Sequence, residues 1–284
     1  MNIQKFSYKS ILVGAVVIVG LIYLFIRSTQ VQSQNSNLEP EDKIPTVFVH
    51  GYKGTFNSFK TMMNRFDQRY NLGKRTLLCF VDKEGHLTFK GSLPIGQKHP
   101  LIQVVFENNR ATINDTSFWL QKIMKELKGK YNVDQVYLVA HSMGGLVTTQ
   151  YLENTYGSSD YPLPLKFITI STPFQGVTRA SYDKVNTGPA VVDLKPGSEA
   201  QKRLLENRDK FDPTIQVLSI GAMGDQVVSV ESATGMRDIA RPEQYKESII
   251  KDQSISHSGL HETELVDRLI SQFLWTPKKI HGEN

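Results

Sequence analysis

A single cysteine, Cys79, is present among 284 residues. One thiol excludes an internal disulfide framework and any multi-cysteine zinc or iron–sulfur site. Cys79 lies in the apolar run Leu77-Leu78-Cys79-Phe80-Val81, which predicts a small hydrophobe packed in a strand rather than a nucleophile. Acid is absent from the first 34 residues, which hold Lys5, Lys9 and Arg27. The whole chain has 33 basic and 28 acidic residues, a net charge of +5, and 30 against 28 remain once this leader is set aside. Most of the basic excess therefore belongs to the leader. No cationic patch of the kind nucleic acid requires is evident, and Lys122, Lys125, Lys128 and Lys130 read as the solvated face of a helix. No metal-ligand spacing and no internal repeat occur, and no cofactor is expected. With 39% hydrophobic and 21% charged residues, the chain has material for a sizeable core, which argues against a disordered or fibrous protein.

Residues 11–26 are all apolar, Gly or Tyr, preceded by two lysines and closed by Arg27. That is about the length of a short membrane span and slightly exceeds the usual 7–15-residue apolar region of a signal peptide. Val31-Gln32-Ser33 is a weak cleavage site, so an uncleaved signal anchor is preferred over a cleaved peptide. The lysines would keep the N-terminus in the cytoplasm and leave the bulk outside, as a single-pass protein of the cell membrane, or a secreted one if the leader is cut. The polar stretch from 30 to 42 has no aromatics and reads as linker. The organisation expected is a leader over 1–34, linker over 35–44 and one domain over 45–284.

Within that domain, short apolar runs at 46–50, 77–81, 102–106, 135–140, 167–171 and 215–220 look like buried strands. Amphipathic segments lie between them. Phe118, Ile123, Met124 and Leu127 suggest one helical face, and Leu265, Val266, Leu269, Ile270, Phe273 and Leu274 a final helix. The alternation predicts an α/β fold with a mostly parallel sheet and helices on both faces. Residues 83–91 suggest a hairpin, and 172–213, long and poorly periodic, a cap-like insertion forming one wall of a cleft.

The strongest chemical signal is Val-Tyr-Leu-Val-Ala-His-Ser-Met-Gly-Gly at 136–145. A strand running straight into a helix through small residues holds Ser142 at the apex of a nucleophile elbow. Ala140 stands where the general pattern has Gly, and adds only a methyl. The alternative is a serine that merely caps a helix. A serine nucleophile needs a base steadied by an acid, and in this architecture both follow it in the chain. Asp225 ends Gly-Ala-Met-Gly-Asp, directly after a strand, whereas Asp209, Asp212 and Asp238 do not. Among the histidines, His257 in the loop-like His-Ser-Gly is preferred to His261, which sits where the last helix starts and is expected at the surface or near a cap. His86, His99 and His281 belong to no constellation. An oxyanion hole needs two amides; the glycine-bearing turn His50-Gly51-Tyr52-Lys53-Gly54 and the residue after the nucleophile nominate Tyr52 and Met143. His50 is expected to support that turn, and His141 has no evident task.

His50-Gly51-Tyr52, Ala140-His141-Ser142-Met143-Gly144, Gly224-Asp225 and His257-Ser258-Gly259-Leu260 resemble, in order, the lipase-like branch of the α/β-hydrolase superfamily, whose small secreted bacterial lipases also carry Ala-His-Ser-Met-Gly. From about Pro45 to Trp275 the chain is similar to a family of cell-surface α/β-hydrolases of Gram-positive bacteria known as a domain of unknown function. The stretch at 100–109, Ser171-Thr172-Pro173-Phe174-Gln175-Gly176, His261-Glu262 and Phe273-Leu274-Trp275 carry that likeness. The resemblance implies the Ser142, Asp225 and His257 triad and an exported, membrane-held enzyme, without naming a substrate. A carboxylic-ester hydrolase acting on a small-molecule or lipid ester is the expected function. Acyl transfer by the same triad, a non-catalytic surface-binding protein on this fold and peptidase activity remain open alternatives, as does the oligomeric state.

Overall fold

The computed structural model describes residues 17–24, 39–177, 179 and 181–275. Strands and helices alternate: β1 (Thr46–Val49), α1 (Asn57–Asn64), β2 (Lys74–Val81), β3 (Leu87–Gly91), β4 (Pro100–Phe106), α2 (Ile113–Gly129), β5 (Gln135–His141) and α3 (Met143–Thr155). They continue through β6 (Leu163–Ile170), α4 (Glu199–Glu206), β7 (Gln216–Ala222), β8 (Tyr245–Ile250) and α5 (Glu264–Trp275). The strands form one sheet in the order β3-β2-β4-β1-β5-β6-β7-β8, parallel except for the antiparallel β2–β3 hairpin. This is the mostly parallel α/β sheet that the strand–helix alternation predicts, in the arrangement the α/β-hydrolase resemblance implies.

Alternation along the central strands sends side chains to two separate cores. Val47, Val49, Leu138 and Ala140 face α2 and α3, meeting Leu120, Ile123, Met124, Leu146 and Val147. Phe48, Tyr137, Val139, Ile168 and Ile170 face α1 and α5, meeting Phe59, Met62, Val266, Ile270 and Leu274. The central strands β1 and β4 are buried along their whole length. Because both faces are covered, they read as unbroken apolar runs rather than as alternation. Cys79 is buried in β2, as its neighbours predict, and burial pushes its thiol pKa up.

Three expectations need correction. Phe118 is not on the buried face of α2 but 57% exposed; Ile113, Leu120, Ile123, Met124 and Leu127 make that face. The edge strand β8 has no counterpart among the six apolar runs, because its sequence Tyr-Lys-Glu-Ser-Ile-Ile is mostly solvated. Packed structure also reaches back into the stretch expected as linker: Pro40–Lys43 forms a short helical turn, Ile44 is buried, and the His99 N–H donates to Asp42 O at 2.7 Å. Of the apolar leader, only 17–24 is described, as an exposed helical piece. The rest of 1–38, including the remainder of the expected anchor, lies outside the described residues, as do 276–284. Among the described residues no helix is long and apolar enough to cross a membrane.

Candidate active site

Four parallel neighbours, β5 to β8, end along one edge of the sheet, where sites of such sheets form, and the loops leaving them carry Ser142, Ser171, Asp225 and His257. Ser142 follows β5 with φ +55° and ψ −132°, a conformation that costs a non-glycine residue about 1–3 kcal/mol. Its neighbours explain how the elbow is held. A Cβ on Gly144 would lie 2.4 Å from Val49 O, and one on Gly145 1.9 Å from Thr172 Oγ1, so both positions are closed to any side chain. Although Ser142 occupies the N-cap position of α3, its hydroxyl caps nothing. Instead Ser142 Oγ lies 2.9 Å from His257 Nε2.

The other face of that imidazole, Nδ1, lies 2.7 Å from Asp225 Oδ2. Asp225 follows β7, and His257 sits in the loop after β8, before the short helical turn Ser258–Glu262. Asp225 is held from all sides: Oδ1 accepts the N–H groups of Val227 at 2.8 Å and Val228 at 3.0 Å, and Oδ2 also accepts the Ser171 hydroxyl. Burial works to raise its pKa. The bonds from His257, Ser171 and Val228 and the imidazole's charge outweigh that and leave the carboxyl below its ordinary value.

The turn after β1 is pressed onto the elbow at Gly51, where a Cβ would sit 2.8 Å from both His141 O and Ser142 Cβ and 3.0 Å from Met143 N. Among the described residues neither the Tyr52 nor the Met143 N–H donates to a protein acceptor. Met143 is the first residue of α3, where helical N–H groups have no intrahelical partner. His50 shapes the turn from beneath: Nδ1 donates to Gly51 O at 2.9 Å and Nε2 accepts the Phe106 N–H at 3.0 Å. Burial lowers its pKa to about 4, against the opposing pull of the Gly51 carbonyl, so the ring is neutral and structural. A cavity of about 530 Å³ opens over Ser142 and His257, walled on one side by Arg179, Tyr182, Val185 and Asn186 of the insertion.

The chain matches, over residues 33–277, the family described as an alpha/beta hydrolase of unknown function (DUF915). It belongs to that family. Among solved structures it is similar to the lin2722 gene product of Listeria innocua, at 27% identity and a TM-score of 0.72, covering 84% of this chain and 96% of that one. A protein from Lactobacillus plantarum described as a cell surface hydrolase is 22% identical with a TM-score of 0.64, over 81% of this chain and 91% of that one. The mature lipase BlEst2 of Bacillus licheniformis is 18% identical with a TM-score of 0.51, over 83% and 93%. At these lower identities the likeness is one of fold. A search of curated proteins finds no match. Family and fold make the protein a hydrolase.

Within this hydrolase, Ser142, Asp225 and His257 come together in one hydrogen-bonded line, and Tyr52 and Met143 line or border the same turn region. Two residues carry more than the sequence suggested. His261 is not at the surface: its side chain is 12% exposed and its ring meets that of His141 edge-on at 4.9 Å. His141, buried between His257 and His261, donates from Nε2 to the His257 carbonyl at 3.1 Å and so braces the loop that carries His257. Burial first, then the neighbouring His257 and His261, keeps His141 well below its ordinary pKa. Ser171, at φ +47° directly after β6, bridges to Asp225 and was not singled out for chemistry. Its position at a strand end between the Ser142 and Asp225 strands is the signal that could have found it. His99 lies apart from the site, buried and stacked on Trp275 at 4.9 Å.

Proposed function

We propose that the protein is a serine hydrolase of carboxylic esters, with Ser142 as nucleophile, His257 as general base and Asp225 as its orienting acid. The observation that carries this reading is the unbroken hydrogen-bonded line from Asp225 through His257 to a Ser142 hydroxyl freed from helix capping and open to a cavity. Ser142 Oγ attacks the ester carbonyl while its proton passes to His257 Nε2, and Asp225 stabilises the imidazolium that forms. The carbonyl oxygen, now negative, is met by the Tyr52 and Met143 amides. Collapse of this intermediate expels the alcohol, which takes the proton from His257, and leaves an acyl group on Ser142. Water, deprotonated by the same imidazole, then releases the acid and restores the serine.

A fluorophosphonate probe tests the assignment. The expected result is a single adduct on Ser142, lost together with ester cleavage in Ser142→Ala while the circular dichroism spectrum is unchanged. A folded wild-type protein that takes no label, or a variant that keeps its activity, refutes it.

The reading extends to location. The leader at 11–26 anchors the chain, Lys5 and Lys9 remain cytoplasmic, and the domain from 45 onward acts at the outer surface. The likeness to a protein described as a cell surface hydrolase supports this. Protease added to intact cells should digest the domain; full protection would contradict export.

A further inference from the structure

Two features of the cavity are not used by the hydrolytic machinery. The first is charge. Lys53 and Arg179 line the cavity, and among the described residues no carboxylate does. The acid of the triad lies behind His257 with its side chain fully buried and both oxygens engaged. Among the described residues neither cation is part of an ion pair: Lys53 Nζ donates to the neutral Asn186 Oδ1 at 2.5 Å, and Arg179 is exposed.

The second feature is the backbone at Lys53. Its φ is +58°, and its N–H donates to Asn109 O at 2.9 Å, which holds the left-handed conformation. Sterics favour glycine there, and glycines stand at 51 and 54 of the same turn. A lysine therefore occupies a strained position in a turn built from glycine. It immediately follows the residue whose amide is assigned to the oxyanion, and its ammonium lies 5.5 Å from the Tyr52 ring.

We infer that the ester substrate carries an anionic group, a phosphate or a carboxylate, which Lys53 and Arg179 hold while the ester carbonyl faces Ser142. The inference rests on the hydrolase reading above. Guanidinium and ammonium groups both pair with such oxyanions, the guanidinium in a bidentate fork. Tyr182, Val185 and Val227 line the same cavity and offer apolar contact to the rest of such a substrate. Outside the leader the chain holds 30 basic and 28 acidic residues, so recognition of an anion is local to this cavity and not a product of overall charge.

Matched esters test it. Rates are measured on 4-nitrophenyl hexanoate against mono-4-nitrophenyl adipate, which places the charge on the acyl side. A second pair, dihexanoylglycerol against dihexanoylglycerol phosphate, places it on the alcohol side. In one of the pairs kcat/KM should favour the anionic member about tenfold, a preference that weakens with added salt. That ratio should fall toward one in the Lys53→Gln, Arg179→Gln double variant and return in Lys53→Arg, Arg179→Lys. A purely structural role for the Lys53–Asn186 bond would depress both members of a pair alike and leave the ratio unmoved. Equal or reversed preference in both pairs, or a preference that survives the double Gln variant, overturns the inference while the hydrolase reading stands. No turnover of any ester together with no fluorophosphonate label overturns both.

Discussion

Glu153 sits on α3, the helix that follows Ser142, and is only 2% exposed, with neither carboxyl oxygen bonded to a partner among the described residues. Burial pushes its pKa from 4.5 to about 8, against a weaker opposing pull from Lys210. In the folded protein the group is therefore neutral at pH 7, while in the unfolded chain it is ionised. Below pH 4.5 both states hold the proton and the group costs nothing through linkage. Between 4.5 and 8 only the fold holds it, so the fold loses about 1.4 kcal/mol per pH unit, and about 4–5 kcal/mol across the window. That is a large part of the roughly 5–15 kcal/mol that stabilises an ordinary domain. Replacing Glu153 with Gln keeps the shape and removes the titration. Thermal unfolding of the full-length protein, followed by circular dichroism, should find the variant close to wild type at pH 4.5. At pH 8.5 it should be more stable, with Tm higher by about 10 °C. Other carboxylates titrate equally in both proteins, so the difference between the two profiles is the quantity to read. Parallel profiles from pH 4.5 to 8.5 would refute a buried, unpaired carboxyl at this position.

Ser171→Ala removes one donor from Asp225 without touching the substrate cavity; kcat should fall about tenfold with KM little changed, since a charge-assisted bond contributes about 1.5–3 kcal/mol, and an unchanged kcat would show that Asp225 does not depend on it. Gly145→Ala drives a methyl into the fully buried side chain of Thr172, whose Cβ would lie 2.7 Å away, and should destabilise the protein by about 1–3 kcal/mol; a urea titration should find a smaller loss in a Thr172→Gly background, and additive losses would exclude the clash. Cys79, buried and with its thiol pKa raised, should resist iodoacetamide in the native protein and react once unfolded; rapid native alkylation would show that β2 is not packed as described.

Much of the fold was legible because the inner strands are buried on both faces. Apolar runs such as Val47-Phe48-Val49 and Val136 to Ala140 can satisfy burial on two sides only in a covered sheet. Legibility failed where one face meets water. In β8 the residues Lys246 and Glu247 are exposed, so the strand has no hydrophobic signature and is recognised only by its pairing with β7. Phe118 failed in the opposite direction: an aromatic residue at helical spacing was assigned to the core, yet its direction on α2 faces solvent. At the site, Ser142, Asp225 and His257 could be nominated because each directly follows a strand or precedes a loop-like Ser-Gly. The supporting residues could not. His141 and His261 lie 120 residues apart, and nothing local in either segment says that their rings meet.

Local sequence by itself determined the inner strands, the elbow and the order of the candidate triad, because hydrophobic periodicity and small residues at a tight turn act over a few residues. Tertiary structure alone decided which groups lie within bonding distance, Ser171 against Asp225 and His141 beneath His257, and which share a cavity, as Lys53 and Arg179 do. Those contacts depend on the parallel order of β5 to β8 and on how the insertion folds over their ends. Hydrogen bonds and charges act across ångströms of space, and distance along the chain says nothing of that separation until the sheet is assembled.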